Sequence, residues 1–185
     1  MNLPDQSQVS TNYSLTRANA EDASAITRVH LASNELFRDT GLLPLSELAT
    51  HVPEHVIVGA VRAGFVFVVR SDRGEPVGFA LSRPVDDTLY LDQVSVDPAH
   101  GRRGIGRALV ERTAEEARAV GFRSVTLSTF RDLPWNGPFY RSIGFREVPR
   151  RRMTDWMKEL EAAQAMTMDV SKRCFMKLRT RRGLL

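Results

Sequence analysis

The chain predicts an α/β fold, a mixed, mostly antiparallel central sheet flanked by helices. Three observations point there. Short Val- and Phe-rich runs between residues 64 and 96 are separated by tight-turn residues, the pattern of an antiparallel meander. From Leu89 to Leu127 a strand, a glycine- and arginine-rich turn, an amphipathic helix and a second strand follow one another, and a helical crossover joins parallel neighbours. Helix-like and strand-like segments then alternate to the end, with no internal repeat or low-complexity tract.

Residues 1–12 read as a disordered lead-in and 13–185 as one domain. Residues 13–18 alternate as a first strand, and Asn19 offers an N-cap ahead of Glu21 and Asp22. Ala23, Ile26, Val29, Leu31 and Leu36 form a helical stripe to about Phe37, which Gly41 and Pro44 break. A second helical piece is expected over 46–60. A strand at 64–70 turns through Ser71, Gly74 and Pro76 into another at 77–82, and the turn at 84–87 leads into a third at 88–96. The next helix spans 104–120, with Leu109, Ala114, Ala117 and Val120 inward and Gly121 as its stop. A strand at 124–129, a short helix at 138–142, a strand at 145–148, a helix at 153–165 and a strand at 173–179 complete the order.

Hydrophobic content of 42% and charged content of 26% exclude a disordered chain and a membrane protein. No apolar run approaches the length of a membrane span, and the polar start MNLPDQSQVSTN has no apolar signal region, so a cytoplasmic protein without membrane partners is expected. One cysteine, Cys174, leaves no internal disulfide and reads as a small buried hydrophobe. The four histidines lack metal-ligand spacing; His51 and His55 share a helical face at i and i+4 but find no third ligand, and no metal is expected. Residues 146–185 carry 11 Lys and Arg against 5 Asp and Glu, which invites a nucleic-acid reading. The arginines at 150–152 and 179–182 flank apolar segments and lack interleaved aromatics, so a solvated surface is favoured and no nucleic-acid partner is expected.

The turn Gly101-Arg102-Arg103-Gly104-Ile105-Gly106-Arg107 opens the helix at 104–120. The first amides of a helix lack internal partners and sit at the positive end of its dipole, glycines permit close approach, and three arginines add charge, so the turn suits a diphosphate. A Walker loop fails here because Arg107 and Ala108 stand where Lys and Ser or Thr are needed. A dinucleotide fingerprint fails because Leu109 occupies its third small position.

Arg103-Gly104-Ile105-Gly106-Arg107-Ala108-Leu109, after a strand ending Val94-Ser95-Val96-Asp97-Pro98, resembles the coenzyme A loop of the GCN5-related N-acetyltransferases. Asn136-Gly137-Pro138-Phe139-Tyr140-Arg141-Ser142-Ile143-Gly144-Phe145 resembles that family's closing segment, in the family's order and at its usual separation. The two motifs together cover residues 89–148, about a third of the chain. The resemblance implies a parallel strand pair splayed around the cofactor. It also implies transfer of an acetyl group from acetyl-CoA to a primary amine, on a small molecule or a peptide, by direct attack in a ternary complex. A homodimer paired through sheets or C-terminal segments is a further implication. The rival readings are an inactive acyl-CoA-binding sensor and a nucleic-acid-associated protein using the basic C-terminal region.

Residue by residue, the resemblance puts the diphosphate on the amides of Arg103, Gly104, Ile105 and Gly106, with Arg102, Arg103 or Arg107 balancing charge. The chain departs from the family at Gly101, where Gln or Arg is usual, and Arg102 stands beside it as a substitute. The backbone of Val94, Ser95 and Val96 would pair with the pantetheine arm like an added strand. Tyr140 matches the tyrosine that protonates the leaving thiolate, or is a core aromatic. Asn136 matches a cofactor contact, or caps a helix. Gln93 occupies the position where many relatives carry a base glutamate but cannot act as one; Asp92 can, or is a paired surface charge. Strand alternation puts these two on opposite faces, so at most one enters the cleft. The acceptor's proton has ordered water or backbone carbonyls as alternative routes. His100 contacts a phosphate or sits on the turn, and Trp135 and Trp156 pack. The family builds much of the acceptor wall from the first helix–loop–helix region, so residues 38–56 carry substrate choice, and Glu35, Asp39, Glu47 and Glu54 are candidates to line it.

Overall fold

The computed structural model describes residues 12–180, so the anticipated lead-in, apart from Asn12, and the terminal Arg181 and Arg182 lie outside the described residues. The element order is β1 (Ser14–Arg17), α1 (Ala23–Asn34), α2 (Leu45–Leu48), α3 (Glu54–Arg62), β2 (Val66–Arg70), β3 (Pro76–Val85), β4 (Thr88–Val96), α4 (Ile105–Val120), β5 (Ser124–Phe130), α5 (Gly137–Ile143), β6 (Arg146–Glu147), α6 (Asp155–Gln164) and β7 (Arg173–Arg179). The strands form one seven-stranded sheet in the order β1-β2-β3-β4-β5-β7-β6. Every neighbouring pair is antiparallel except β4–β5, which is parallel.

Strand alternation divides the core into two layers. Phe67, Val69, Ala80, Leu89, Leu91, Val125 and Leu127 meet the buried face of α4. On the other side Val66, Val68, Phe79 and Leu81 pack with α1 and α3, and Tyr90 and Phe175 pack with α6. Gly78 allows α4 to start close to the sheet, because a Cβ there would lie 2.9 Å from Ile105 Cγ2. The N-cap expected at Asn19 is present as a reciprocal pair with Asp22. Asp22 is buried, and Arg70 of β2 holds both its oxygens at 2.8–2.9 Å.

Three expectations about the helices need correction. The piece at 46–60 is two helices, because Pro53 removes a donor and pushes Val52 out of the helical region. His51 therefore lies in the connection while His55 is in α3, and they share no helical face. Val120 is 54% exposed, since it is the last residue of α4, where Gly121 at φ 98° ends the helix. Leu36 is also exposed, because the α1 stripe ends at Asn34 and a 3₁₀ turn at Glu35–Phe37 swings it outward.

The β3–β4 ladder carries the irregularity that matters for the site. Leu81 faces Gln93 and Ser82 faces Leu91, so Asp92 is one residue too many on β4. Such a bulge bends its strand and raises the local twist. The parallel ladder to β5 pairs only Thr88, Leu89 and Tyr90 with Ser124, Val125 and Thr126. Beyond Tyr90 the two strands part, and α5 closes the far side.

Gly137, the first residue of α5, runs so close to the Arg131 carbonyl oxygen that any Cβ would collide with backbone. Gly137→Ala is expected to lower unfolding free energy by roughly 1–3 kcal/mol, read by urea denaturation. Gly106→Ala, whose Cβ would meet nothing closer than 3.6 Å, should cost far less.

Candidate active site

The opening between β4 and β5 is one groove of about 1190 Å³, larger than the usual pocket for a single small molecule (~300–1,000 Å³). One half is formed by Val94, Ser95 and Val96 of β4, the loop at 101–107, and Asn136, Phe139 and Tyr140. The other is walled by His30, Ser33 and Phe37 on one side and by Phe130, Gln164 and Arg173 on the other. Asp92 and Gln93 also line it.

The loop is shaped as an anion cradle. Arg102 and Gly104 both have positive φ, 58° and 78°. Gly104 is the N-cap of α4 and supplies no side-chain cap, and no acidic residue lies in the first turn. The first intrahelical bond at this end runs from Ala108 N to Gly104 O, which leaves the preceding amides facing the groove. The three arginines divide their work. Arg107 reaches Glu111 at 3.3 Å and the Ser142 hydroxyl at 2.9 Å, tying α4 to α5. Arg103 donates to the Tyr13 hydroxyl at 3.1 Å and, alone among the residues predicted to be catalytic or to bind the cofactor, is not part of the groove lining. Arg102 has no ion-pair partner among the described residues, so it is the loop cation left for an anion. His100 holds Tyr13 from the other side at 2.9 Å and also lines the groove.

Tyr140 is buried between Phe139 and Phe145, with ring centroids 5.1 and 5.6 Å away. Burial pushes its phenol pKa well up, and nearby Tyr90 adds to the rise. Asn136 stands at the N-cap of α5 but its side chain makes no cap bond: its Nδ2 donates to Thr129 Oγ1 at 2.7 Å, and its buried Oδ1 has no donor among the described residues. That orphan acceptor beside an open strand edge matches what a ligand amide would need.

The bulge corrects the expectation for Asp92 and Gln93. Asp92 accepts from Arg83 Nε at 3.2 Å, and Arg83 stacks over Tyr90 on the α6 side of the sheet. Gln93 donates to Ser95 Oγ, which accepts from Ser33 of α1 on that same side. Both residues thus face one side, because the extra residue interrupts the two-residue period. Burial raises the Asp92 pKa, with Arg83 opposing the rise, and its Oδ2 lacks a well-directed donor.

Several lining residues were not legible in the sequence. His30 packs edge-on against Phe79, and burial, with help from His51, pulls its pKa down to about 4. Asn34 ties the end of α1 to the Leu48 and Thr50 carbonyls. Of the four acids considered for the acceptor wall only Glu47 lines the groove; Glu35 is an exposed partner of Arg38. Trp135 is 44% exposed at the rim and touches Phe37, whereas Trp156 packs on Tyr90 and Phe175 as expected. Cys174 is buried and its thiol is pushed up to about 11, which removes it as a nucleophile.

The model of the acetyltransferase (GNAT) family matches residues 34–145, more than half the chain. The chain belongs to that family. Within it, the [ribosomal protein bS18]-alanine N-acetyltransferase of Escherichia coli K12 is 32% identical over 82 residues, 44% of this chain and 55% of that protein. The matched stretch therefore spans about half the length of that relative. In fold, PaiA N-acetyltransferase from Thermoplasma acidophilum, solved with coenzyme A, superposes with a TM-score of 0.73 at 13% identity, covering 91% of this chain and 99% of that one. The E. coli S18-alanine enzyme superposes at 0.65 with 18% identity, over 94% and 99%. Among the described residues no helix is long and apolar enough to cross a membrane, and no three His, Cys, Asp or Glu side chains group as metal ligands.

The His30 shift has a stability consequence. The unfolded chain takes up this proton near pH 6.5 and the folded one only near 4, so the folded state loses stability as pH falls through that window. The loss should approach ~3 kcal/mol for this group. Urea unfolding at stepped pH should show it, and His30→Leu should flatten the curve between pH 6.5 and 4.

Proposed function

We propose that the chain is an acetyl-CoA-dependent N-acetyltransferase that moves an acetyl group to a primary amine by direct attack in a ternary complex. The observation that carries this is the continuity of one groove, from the uncapped start of α4, along the open edge of β4, to Tyr140. Its volume suits two reactants held together, and holding both converts a bimolecular encounter into an oriented one.

Acetyl-CoA would supply a thioester whose carbonyl carbon the amine attacks. The chain's own groups would hold it as follows. The amides of Ile105, Gly106 and Arg107 face the diphosphate and Arg102 offsets its charge, while the main chain at Val94, Ser95 and Val96 takes the pantetheine as an added strand. Asn136 Oδ1 is the acceptor available to a pantetheine amide.

Two protons move in the reaction. The amine must lose one as its N–C bond forms, and the sulfur gains one as the C–S bond breaks. Asp92, more basic than an ordinary aspartate, faces the acceptor half and takes the first directly or through water. Tyr140 keeps its proton until the departing thiolate forms, delivers it, and is recharged from solvent. An α-amine, such as the alanine acceptor in the name of the E. coli relative, is among the acceptors this arrangement suits.

Calorimetry tests the donor assignment. Wild type should bind coenzyme A and acetyl-CoA in the micromolar range. Gly106→Glu, a position where a Cβ has room, should melt like wild type and lose both ligands. Tyr140→Phe should retain binding and lose roughly a hundredfold or more in kcat. A folded wild type that binds neither ligand would overturn the proposal. In the pH profile, kcat/KM should carry an acid limb above the ordinary aspartate range that Asp92→Asn removes.

A further inference from the structure

On the proposed acetyltransferase reading, the groove also holds a feature that defines its acceptor. Arg173, the first residue of β7, lines the acceptor half, and desolvation pulls its pKa down. Its polar contacts are all neutral. Nη2 donates to the Ser128 carbonyl at 3.0 Å and to Ser128 Oγ at 3.2 Å, and Nε donates to Gln164 Oε1 at 3.3 Å. The guanidinium stacks over Phe130, 4.7 Å from the ring centroid. No carboxylate pairs with it among the described residues, and Nη1 has no hydrogen bond there.

The other arginines of the groove differ. Arg107 is paired with Glu111, and Arg102 is exposed on the loop at the far end. A half-buried cation is normally matched by an acid, and a guanidinium with a free edge presents the donor geometry that a carboxylate accepts. Arg173 is near enough to Tyr90 and Tyr140 for its charge to oppose the rise in both phenol pKa values, so it stands beside the proposed reaction centre. An apolar cluster shares this wall: Phe37 contacts Phe130 at 5.8 Å and Trp135 at 6.2 Å, and Leu43 and Met168 also line the groove.

We infer that the acceptor is a free amino acid with an apolar or aromatic side chain, its carboxylate held by Arg173 and its side chain by the Phe37–Phe130–Trp135 cluster. A carboxylate close to the amine is a property of free amino acids. A protein N-terminus lacks it, so the inference separates small-molecule acceptors from protein ones.

The test compares amines that differ only in the carboxylate. Wild type saturated with coenzyme A is titrated with phenylalanine, phenylalaninamide and phenethylamine, and with leucine and leucinamide; acetylation from acetyl-CoA is measured for the same set. The acids should bind and react better than their amides by roughly thirtyfold or more, even though the amides carry the less basic, more readily deprotonated amine. Arg173→Gln should erase that preference through KM for the acid, leaving KM for acetyl-CoA near wild type, and Arg173→Lys should restore part of it. Thermal melts of both variants separate unfolding from lost recognition, and the wild-type comparison needs neither variant. If acetyl-CoA binds but the acids bind no better than the amides, or none binds, the inference falls and the acetyltransferase reading stands. If Arg173→Gln alters KM for acetyl-CoA instead, Arg173 serves the donor and the inference also falls. If acetyl-CoA does not bind, both fall.

Discussion

The parting of β4 from β5 after three paired residues is the constraint from which the site follows. Backbone N–H and C=O groups need partners, and a strand released in the middle of a sheet exposes a row of them. Here the release is enforced from several directions. The extra residue at Asp92 bends β4, the Asn136–Thr129 contact fixes the start of α5 against β5, and Tyr140 and Phe139 fill the wedge from the α4 side. Because β4 and β5 are parallel, the crossover that joins them brings the start of α4 to the carboxyl end of β4, the region where open α/β sheets take ligands. An unpaired strand edge and an uncapped helix end thus open into one groove.

Charge is graded along that groove. At one end the amides of α4 and Arg102 give positive potential with no acid in the first helical turn. In the middle, burial raises the pKa of both the Tyr140 phenol and the Asp92 carboxyl, which is what the proposed acid and base roles require of them. His30, lining the same space, stays neutral and adds no competing charge. At the end proposed for the acceptor, Arg173 supplies a second positive point with no ion-pair partner among the described residues.

Local pattern made much of this legible in the sequence. The strands at Thr88–Val96 and Arg173–Arg179, the helix that begins in the arginine loop, and the Asn136–Phe145 segment are each written in contiguous residues, and the structure has them where periodicity and glycine placement put them. What escaped depends on contacts between distant segments. The bulge at Asp92 is a register event between β3 and β4, so alternation along β4 alone separates Asp92 and Gln93 onto opposite faces. The split at Pro53 is readable from proline chemistry. Arg173 looked like one more charge in a basic tail; its neighbours Ser128, Phe130 and Gln164 come from elsewhere in the chain, and no local pattern announces them. Arg103 shows the converse, a motif residue whose side chain is engaged by Tyr13, ninety residues away.

Amide hydrogen exchange, with and without coenzyme A, tests most directly whether the open edge of β4 is the donor site. If the pantetheine completes the edge of β4 and the diphosphate sits on α4, exchange should slow in residues 91–96 and 104–108, with β1 and β2 unchanged. Protection confined to other segments, or none at saturating coenzyme A, would contradict the account, because the unpaired edge and the uncapped helix end would then have no role in holding the donor.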